Sequence, residues 1–175
     1  PFNSFLLNIG LESLAVRVER HCENAQKVAE YLEKNDKISW VNYPGLKSSK
    51  DYELAKKYLP HGTCGVISFG VKGGREKAEQ FMNSLKLAAI VTHVADARTC
   101  VLHPASSTHR QLSDEELTEC GVTPDLVRLS VGIENVNDIT HITHKNSRPN
   151  QVFGRLFFTY KSSVLNGNFS LYLIW

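Results

Sequence analysis

Three observations predict a single α/β (or α+β) domain for this chain. Strand-like and helix-like segments alternate along residues 1–139. The length of 175 residues allows one domain of about 100–200 residues. The mix of 42% apolar and 22% charged residues is typical of an ordinary globular protein, and a net charge of +2 is too small to indicate nucleic-acid binding.

The first predicted element is a long amphipathic helix over residues 11–34, about 35 Å long at 1.5 Å per residue. Polar Glu, Arg, Lys, Asn and Gln residues separate its apolar positions. These apolar positions recur at three- or four-residue steps and begin before the helix: Leu7, Leu11, Leu14, Val18, Cys22, Ala25, Val28, Ala29 and Leu32. Such a helix is long enough to cross a domain or to join two.

The remaining predicted elements are shorter. Strands are predicted from apolar runs bounded by turn signals, at residues 38–42, 65–71, 99–102 and 126–131. Two helices are predicted at residues 51–59 and 75–85, and a brief third helix is opened by the capping box Ser113-x-x-Glu116.

The composition changes after Ile139. Residues 140–175 carry four basic and no acidic side chains, together with seven of the sixteen aromatic residues. We therefore divide the chain into a domain of residues 1–139 and a tail of residues 140–175. The start, Pro1-Phe2-Asn3-Ser4, has no basic region typical of a signal peptide and is expected to be a cut into a longer chain.

The cysteines predict a cytoplasmic protein. Cys22, Cys64, Cys100 and Cys120 form no CxxC pair, and we expect reduced thiols that pack as small buried hydrophobic residues. No run of about 20 apolar residues predicts a transmembrane helix.

Arg128 is the strongest candidate for a binding residue. In a strand, Val127, Leu129 and Val131 share one face, whereas Arg128 lies on the other face with Ser130. A buried arginine among apolar strand residues needs a partner. Arg128 either pairs with a structural carboxylate or lies at a sheet edge, or it binds the carboxylate or phosphate of a substrate, and spacing alone does not choose between these alternatives.

Two other patterns are weaker. His93, His103 and His109 lie near Cys100, but no helical i, i+4 pair is present, so we predict a hydrogen-bonded loop and no metal site. Residues 72–75 lack the spacing of a phosphate-binding loop and predict a plain turn.

Several motifs taken together resemble one enzyme family, the Cys/Met-metabolism enzymes that use pyridoxal phosphate (PLP). The resemblance covers about residues 2–139, in the family's order. The motifs are LESLAVRVERH at 11–21, YPGL at 43–46, HPASSTH at 103–109 and RLSVGIE at 128–134. Residues 96–99 and 121–126 are similar, within that family, to the O-acetylhomoserine sulfhydrylases.

The resemblance implies the small C-terminal domain of a fold-type I PLP-dependent transferase, with a mainly antiparallel sheet covered by helices and a long N-terminal connecting helix. It implies an activity that joins O-acetylhomoserine to sulfide, giving homocysteine and acetate in methionine and cysteine biosynthesis, or transsulfuration. PLP supplies the electron sink for that chemistry. The implied partners are an amino-acid substrate, a sulfide or thiol co-substrate and other copies in a homotetramer, with no nucleic acid and no membrane.

The resemblance also implies roles for residues. Arg128 would bind the α-carboxylate of the substrate, and Thr108 would lie in a loop that faces the substrate. His93 falls where relatives carry Asn or Ser near that carboxylate, and Ala95 falls where they usually carry Gly. Since glycine often marks a positive φ or a close backbone approach, these two departures concern the geometry of one loop.

The lysine motif that holds PLP in the family is not found in this sequence. We therefore expect no catalytic residue in this chain, no PLP held by it alone and no turnover by it alone. The alternatives are a stand-alone amino-acid-binding module and a non-catalytic remnant that associates with a full-length paralogue. Residues 140–175 resemble nothing in the family, and a frameshift or intron read-through is favoured over a genuine appended segment.

Overall fold

The computed structural model describes residues 1–141. The predicted boundary at 139/140 falls near the end of that range, and the interpretation of the tail lies outside the described residues. The elements, in chain order, are α1 (Phe2–Glu12), α2 (Leu14–Glu33), β1 (Ile38–Asn42), α3 (Tyr52–Tyr58), β2 (Val66–Val71), α4 (Gly74–Ser84), β3 (Ala89–Ile90), β4 (Cys100–Leu102), a 3-10 turn (Pro104–Ser106), α5 (Asp114–Glu119), β5 (Leu126–Ser130) and α6 (Val136–His141).

The strands of residues 1–141 form one sheet in the order β1-β2-β5-β4-β3. β1 with β2, β2 with β5, and β5 with β4 pair antiparallel, and β3 with β4 pairs parallel. The expectation of a mainly antiparallel sheet with helices is therefore confirmed. β5 lies in the middle of the sheet, where Arg128 is registered against Ser68 of β2 and Leu102 of β4.

The core lies between the C-terminal half of α2 and one face of the sheet. Ala25, Val28, Ala29 and Leu32 of α2 are all buried. They join a cluster that includes Ile67 and other apolar strand residues. Burial of this surface supplies the main driving force for folding. The amphipathic pattern of the sequence thus identifies the packed face of α2.

The prediction of one uninterrupted helix from residue 11 is wrong at its start. Two helices meet at Ser13, whose φ of −102° and ψ of 5° interrupt the helical geometry. The Arg17 side chain stabilises the junction by donating to the Gly10 carbonyl at 2.5 Å and to Ser13 Oγ at 3.3 Å. One carbonyl of the last turn of α1 thereby gains a partner.

The apolar stripe of the first helices is packed along only half of its length. No residue of α1 is buried. Leu7, Leu11, Leu14 and Val18 continue the stripe of α2 and are 41–69% exposed. Within residues 1–141, the N-terminal half of the stripe therefore remains largely exposed. We call these four residues the bare stripe.

The shorter predicted elements are confirmed to within one residue at either end, including the capping box. Ser113 Oγ accepts from the Glu116 N–H, and the Glu116 carboxylate accepts from the Ser113 N–H. Three elements, β3, the 3-10 turn and α6, were not predicted from the sequence. In residues 1–141, no helix combines the length and hydropathy needed to cross a bilayer.

Candidate functional site

Arg128 stands half-buried on the polar face of the central strand. Its Nη2 donates to the Thr92 carbonyl at 2.8 Å, and its buried Nε has no hydrogen-bond partner. Among residues 1–141, no Asp or Glu forms an ion pair with Arg128. The sequence allowed a structural carboxylate as the partner of Arg128. No such carboxylate is found in the described part of the chain. Arg128 retains donors for an external acceptor.

Ser130 holds the other end of the loop that Arg128 contacts. Its Oγ accepts from the Ala95 N–H at 3.0 Å. Ala95 has a φ of +61°, the only positive φ at a non-glycine position in residues 1–141. The left-handed conformation is one that glycine, which has no Cβ to clash, adopts more readily than alanine. This agrees with the glycine that the family resemblance implies here. The two side chains of β5 thus hold residues 92–95 from both ends.

His93 lies within this loop and directly follows Thr92. Its side chain is 63% exposed, and its Nδ1 lies 3.8 Å from Asp96 Oδ2. Side-chain and backbone N–H groups of Arg98 bind the Asp96 carboxylate and lower the pKa of that carboxyl to about 2. The loop therefore ends in a charged, hydrogen-bonded turn that keeps a carboxylate near His93.

Thr108 follows the 3-10 turn, its side chain is exposed, and its Oγ1 lies 2.9 Å from His109 Nδ1. Among the hydrogen bonds of the described part of the chain, none joins the Thr108 side chain to Arg128 or to residues 92–95. The hydrogen bonds therefore connect Arg128 to the loop that carries His93 and do not connect Thr108 to it.

A second hydrogen-bonded network supports the loop and was missed by the sequence analysis. Thr99 Oγ1 accepts from the Gly132 N–H at 3.0 Å and donates to Glu134 at 2.9 Å. Asn24 of α2 donates to the carbonyls of Gly132 and Glu134 at 2.9 and 2.8 Å. Gly132 and Glu134 belong to the RLSVGIE motif, which is the signal that pointed to this network.

No motif in the sequence marked Asn24 as part of this network. The sequence analysis placed it among the polar residues between apolar helix positions, but it is fully buried. Its amide is hydrogen-bonded to backbone carbonyls more than 100 residues away along the chain. Buried polar groups need partners, and here the partner is the chain that follows β5.

His103 has a hydrogen-bonding role. It is buried, with Nδ1 2.8 Å from Ser106 Oγ and Nε2 2.8 Å from the Pro124 carbonyl. Both ring nitrogens are therefore engaged, as the hydrogen-bonded loop interpretation predicts. No group of three or more His, Cys, Asp or Glu residues positioned for a metal ion occurs in residues 1–141.

The cysteines are free thiols, but their burial differs. Cys100 is buried, Cys22 and Cys64 are half-buried, and Cys120 is exposed. The expectation of four small buried residues is therefore wrong for Cys120. Burial raises the pKa of the Cys22 and Cys100 thiols, which favours their protonated form.

The described residues do not fit covalent attachment of PLP. All ten lysines of residues 1–141 have exposed side chains. A Schiff-base lysine is instead activated by a buried or otherwise perturbed environment. The part of the chain that the structure describes therefore presents Arg128 without an acidic partner, and no lysine suited to hold the cofactor.

Comparisons with known proteins agree with this fold. The profile of the family described as Cys/Met metabolism PLP-dependent enzyme matches residues 1–143. Homocysteine synthase of Schizosaccharomyces pombe is 52% identical over 139 residues, and O-acetyl-L-homoserine sulfhydrylase of Leptospira meyeri is 50% identical over 140 residues. Each match covers 79% of this chain and 32% of the relative.

Among solved structures, a Campylobacter jejuni protein assigned as an O-acetylhomoserine (thiol)-lyase superposes with a TM-score of 0.75 at 41% identity. The match covers 82% of this chain and 34% of that protein, which carries N'-pyridoxyl-lysine-5'-monophosphate. The chain thus spans about a third of the length of the curated relatives it matches. Because the family profile covers most of the sequence, this chain belongs to the Cys/Met-metabolism family of PLP-dependent enzymes.

Proposed function

We propose that this chain supplies the C-terminal, substrate-carboxylate-binding domain of an O-acetylhomoserine sulfhydrylase-like enzyme of fold type I. The whole enzyme would join O-acetylhomoserine to sulfide and release homocysteine and acetate. The observation that carries the proposal is Arg128, a guanidinium on the central strand with no acidic partner in residues 1–141.

The chemistry of Arg128 favours a carboxylate ligand. A guanidinium presents a rigid, planar fork of N–H donors that matches a carboxylate in geometry and in charge. The bond from Nη2 to the Thr92 carbonyl orients this fork before any ligand arrives. Such preorganisation lowers the entropic cost of binding and would align the Cα–H bond of an amino acid. His93, in the same loop, is proposed as a neighbour of the bound substrate, and Thr108 is proposed as a further substrate-binding residue, ranked below Arg128.

The cofactor belongs to the intact enzyme in this proposal. PLP, when bound there, supplies the electron sink for replacement at the γ-carbon. Since no described lysine is buried, the chain alone is expected to retain no PLP and to form no homocysteine. We further propose that the domain spans residues 1–139, that the intact enzyme is a cytoplasmic homotetramer, and that residues 140–175 lie outside the domain.

Calorimetry on the full chain tests the carboxylate site. O-acetylhomoserine is titrated beside its methyl ester, which lacks the negative charge. We expect the acid to bind and the ester to bind at least tenfold more weakly. Arg128→Lys should weaken binding of the acid about tenfold or more, because a lysine loses the fork. Arg110→Lys, a change at an exposed arginine, is the matched control.

Equal binding of acid and ester would contradict the proposal, as would an Arg128→Lys chain with unchanged affinity. Absence of carboxylate-dependent binding also counts against it. Arg128-dependent binding of the acid supports the carboxylate site both for a domain of a longer enzyme and for the stand-alone amino-acid-binding module.

The bare stripe favours a second candidate, a non-catalytic remnant that associates with a full-length paralogue. Exposed apolar surfaces mark interaction sites, and these four leucine and valine side chains are all exposed at coiled-coil spacing. Co-purification with the full-length Leptospira meyeri sulfhydrylase tests it. Leu11→Glu should abolish capture, whereas Leu54→Glu, at a similarly exposed leucine of α3, should not. A chain that never co-purifies contradicts this candidate.

A further inference from the structure

Ala95 is held in a conformation that an alanine rarely adopts. Its φ of +61° lies in the left-handed region, where the Cβ crowds the following backbone. The residue is exposed, so no surrounding core forces this conformation on it. Strain of this kind persists only where other contacts determine the backbone.

Ser130 provides that contact. Its side chain is buried, and its Oγ accepts from the Ala95 N–H at 3.0 Å. Ser130 is paired with Val66 of β2 and with Cys100 of β4, so the sheet holds its backbone from both sides. The Ser130 hydroxyl is therefore a hydrogen-bond acceptor held in place by the sheet, and its donor belongs to an exposed loop.

Arg128 contacts the same loop three residues earlier. It lies two residues before Ser130 on the same face of β5, and its Nη2 donates to the Thr92 carbonyl at 2.8 Å. Thus β5 binds residues 92–95 by a donor at one end and by an acceptor at the other. Release of Ala95 would let its φ relax, displace the Thr92 carbonyl and free the guanidinium to rotate.

We infer that Ser130 is a positioning residue, which holds Ala95 in the left-handed conformation and thereby orients the Arg128 guanidinium for its ligand. This inference rests on the proposed function of Arg128. Ser130 acts through the loop and through Arg128, and it need not touch the substrate.

The rest of the loop is anchored independently of Ser130. The Ile133 N–H donates to the Ala97 carbonyl at 2.9 Å, and Glu134 accepts from the Thr99 N–H at 2.6 Å. Loss of the Ser130 hydroxyl should therefore release residues 92–95 and leave the sheet in place. This separation distinguishes positioning from a general contribution to folding.

Nuclear magnetic resonance on the full chain tests the inference with Ser130→Ala, Ser130→Thr and Ser84→Ala. Ser84→Ala deletes a hydroxyl at the exposed end of α4, a helix that packs on the face of the sheet opposite Arg128, and is the control. In Ser130→Ala we expect the Ala95 amide to exchange at least tenfold faster and the Arg128 Nε–H resonance to shift. The amides of Ile67 and Phe69 should be unchanged. Ser130→Thr, which keeps the hydroxyl, should restore both signals, and Ser84→Ala should affect neither.

An unchanged Ala95 exchange rate in Ser130→Ala would overturn the inference, and so would faster exchange without a shift at Arg128. Calorimetry with O-acetylhomoserine adds a second readout, in which Ser130→Ala should lower affinity about tenfold and Ser130→Thr should recover it. Unchanged affinity in Ser130→Ala would also overturn the inference. If the unmodified chain binds no carboxylate, the proposed function fails, and the resonance data alone decide whether Ser130 positions Arg128.

Discussion

The Glu134 carboxylate accepts two hydrogen bonds from Thr99, one from the backbone N–H at 2.6 Å and one from the hydroxyl at 2.9 Å. These residues lie 35 positions apart in the chain. Their contact joins the segment that enters β4 to the segment that leaves β5. The strand that carries Arg128 is thereby supported just beyond its C-terminal end.

Glu134→Gln should destabilise the protein by about 1.5–3 kcal/mol, the usual worth of hydrogen bonds to a charged group. The new amide keeps one acceptor oxygen but turns an NH2 donor toward a donor of Thr99. Urea unfolding measures the change. Glu119→Gln, at an exposed helix position, should stay within about 0.5 kcal/mol. Equal stability of the two variants would show that the Thr99 contact contributes little.

Gly132→Ala and Gly10→Ala should change stability in opposite directions. A Cβ at Gly132 would overlap the Glu134 carboxylate and approach the Ala97 carbonyl oxygen at 2.6 Å, so a loss of about 1–3 kcal/mol is expected. At Gly10, inside α1, a Cβ meets nothing within 4 Å. Alanine there should stabilise the helix by up to about 1 kcal/mol. Thermal unfolding of the pair checks both signs, and a stabilising Gly132→Ala would refute the packing described.

Asn24→Asp should strongly destabilise the protein, although the two side chains have nearly the same shape. It replaces a buried donor by a carboxylate that faces the carbonyls of Gly132 and Glu134. A loss of more than about 2 kcal/mol is expected at neutral pH. Acidification should reduce the deficit relative to the unmodified chain, because the protonated carboxyl can donate again. Asn83→Asp, at an exposed position of α4, is the control, and similar losses in both would contradict the role of Asn24.

Asp96 should contribute a small, acid-sensitive stabilisation. Its pKa is lowered to about 2 by Arg98, against about 3.9 in an unfolded chain. The contribution is therefore complete above about pH 4 and is lost as the pH falls toward 2. For such a surface pair it should not exceed about 1 kcal/mol. Urea unfolding of the unmodified chain and of Asp96→Asn should differ at pH 5 and converge on acidification. A constant difference would contradict this assignment.

Tyr43 should make the fold sensitive to alkali. Its buried hydroxyl donates to the Cys64 carbonyl at 3.0 Å and accepts from Thr63 Oγ1 at 2.6 Å, and burial raises its pKa to about 12. An unfolded tyrosine ionises near pH 10, so stability should fall as the pH rises from about 10 toward 12.

Ultraviolet titration of tyrosinate measures this effect. Tyr43→Phe should remove one late-ionising group and cost about 1 kcal/mol at neutral pH through the lost hydrogen bonds. Tyr58→Phe, at a largely exposed ring, should leave the late phase intact. An identical titration curve for Tyr43→Phe and the unmodified chain would overturn the assignment.

Much of the fold could be predicted because burial leaves a periodic trace in the sequence. The period of two around Arg128 correctly separates the buried Val127 and Leu129 from the polar side of β5. The helical period identifies the packed half of α2 equally well. It does not reveal that the same stripe is bare from Leu7 to Val18, because periodicity records hydrophobicity and not whether a partner is present.

Short or irregular elements left no comparable trace. β3 has only two residues, too few to show a period, and its place in the sheet follows from its pairing with β4. The break at Ser13 likewise depends on an Arg17 side chain that reaches back to Gly10. The helix propensity of individual residues predicts a helix boundary poorly where contacts of this kind determine it.

The family, the mixed sheet-and-helix class and the strand face that carries Arg128 all follow from the amino-acid sequence alone. Local patterns and ordered motifs suffice for these. Tertiary structure decided that Arg128 has no acidic partner in residues 1–141, that Ser130 holds Ala95, and that Asn24 is a buried support. These facts depend on contacts between residues 35 to 110 positions apart. Folding creates such contacts by bringing distant donors and acceptors together away from water, and no local period encodes them.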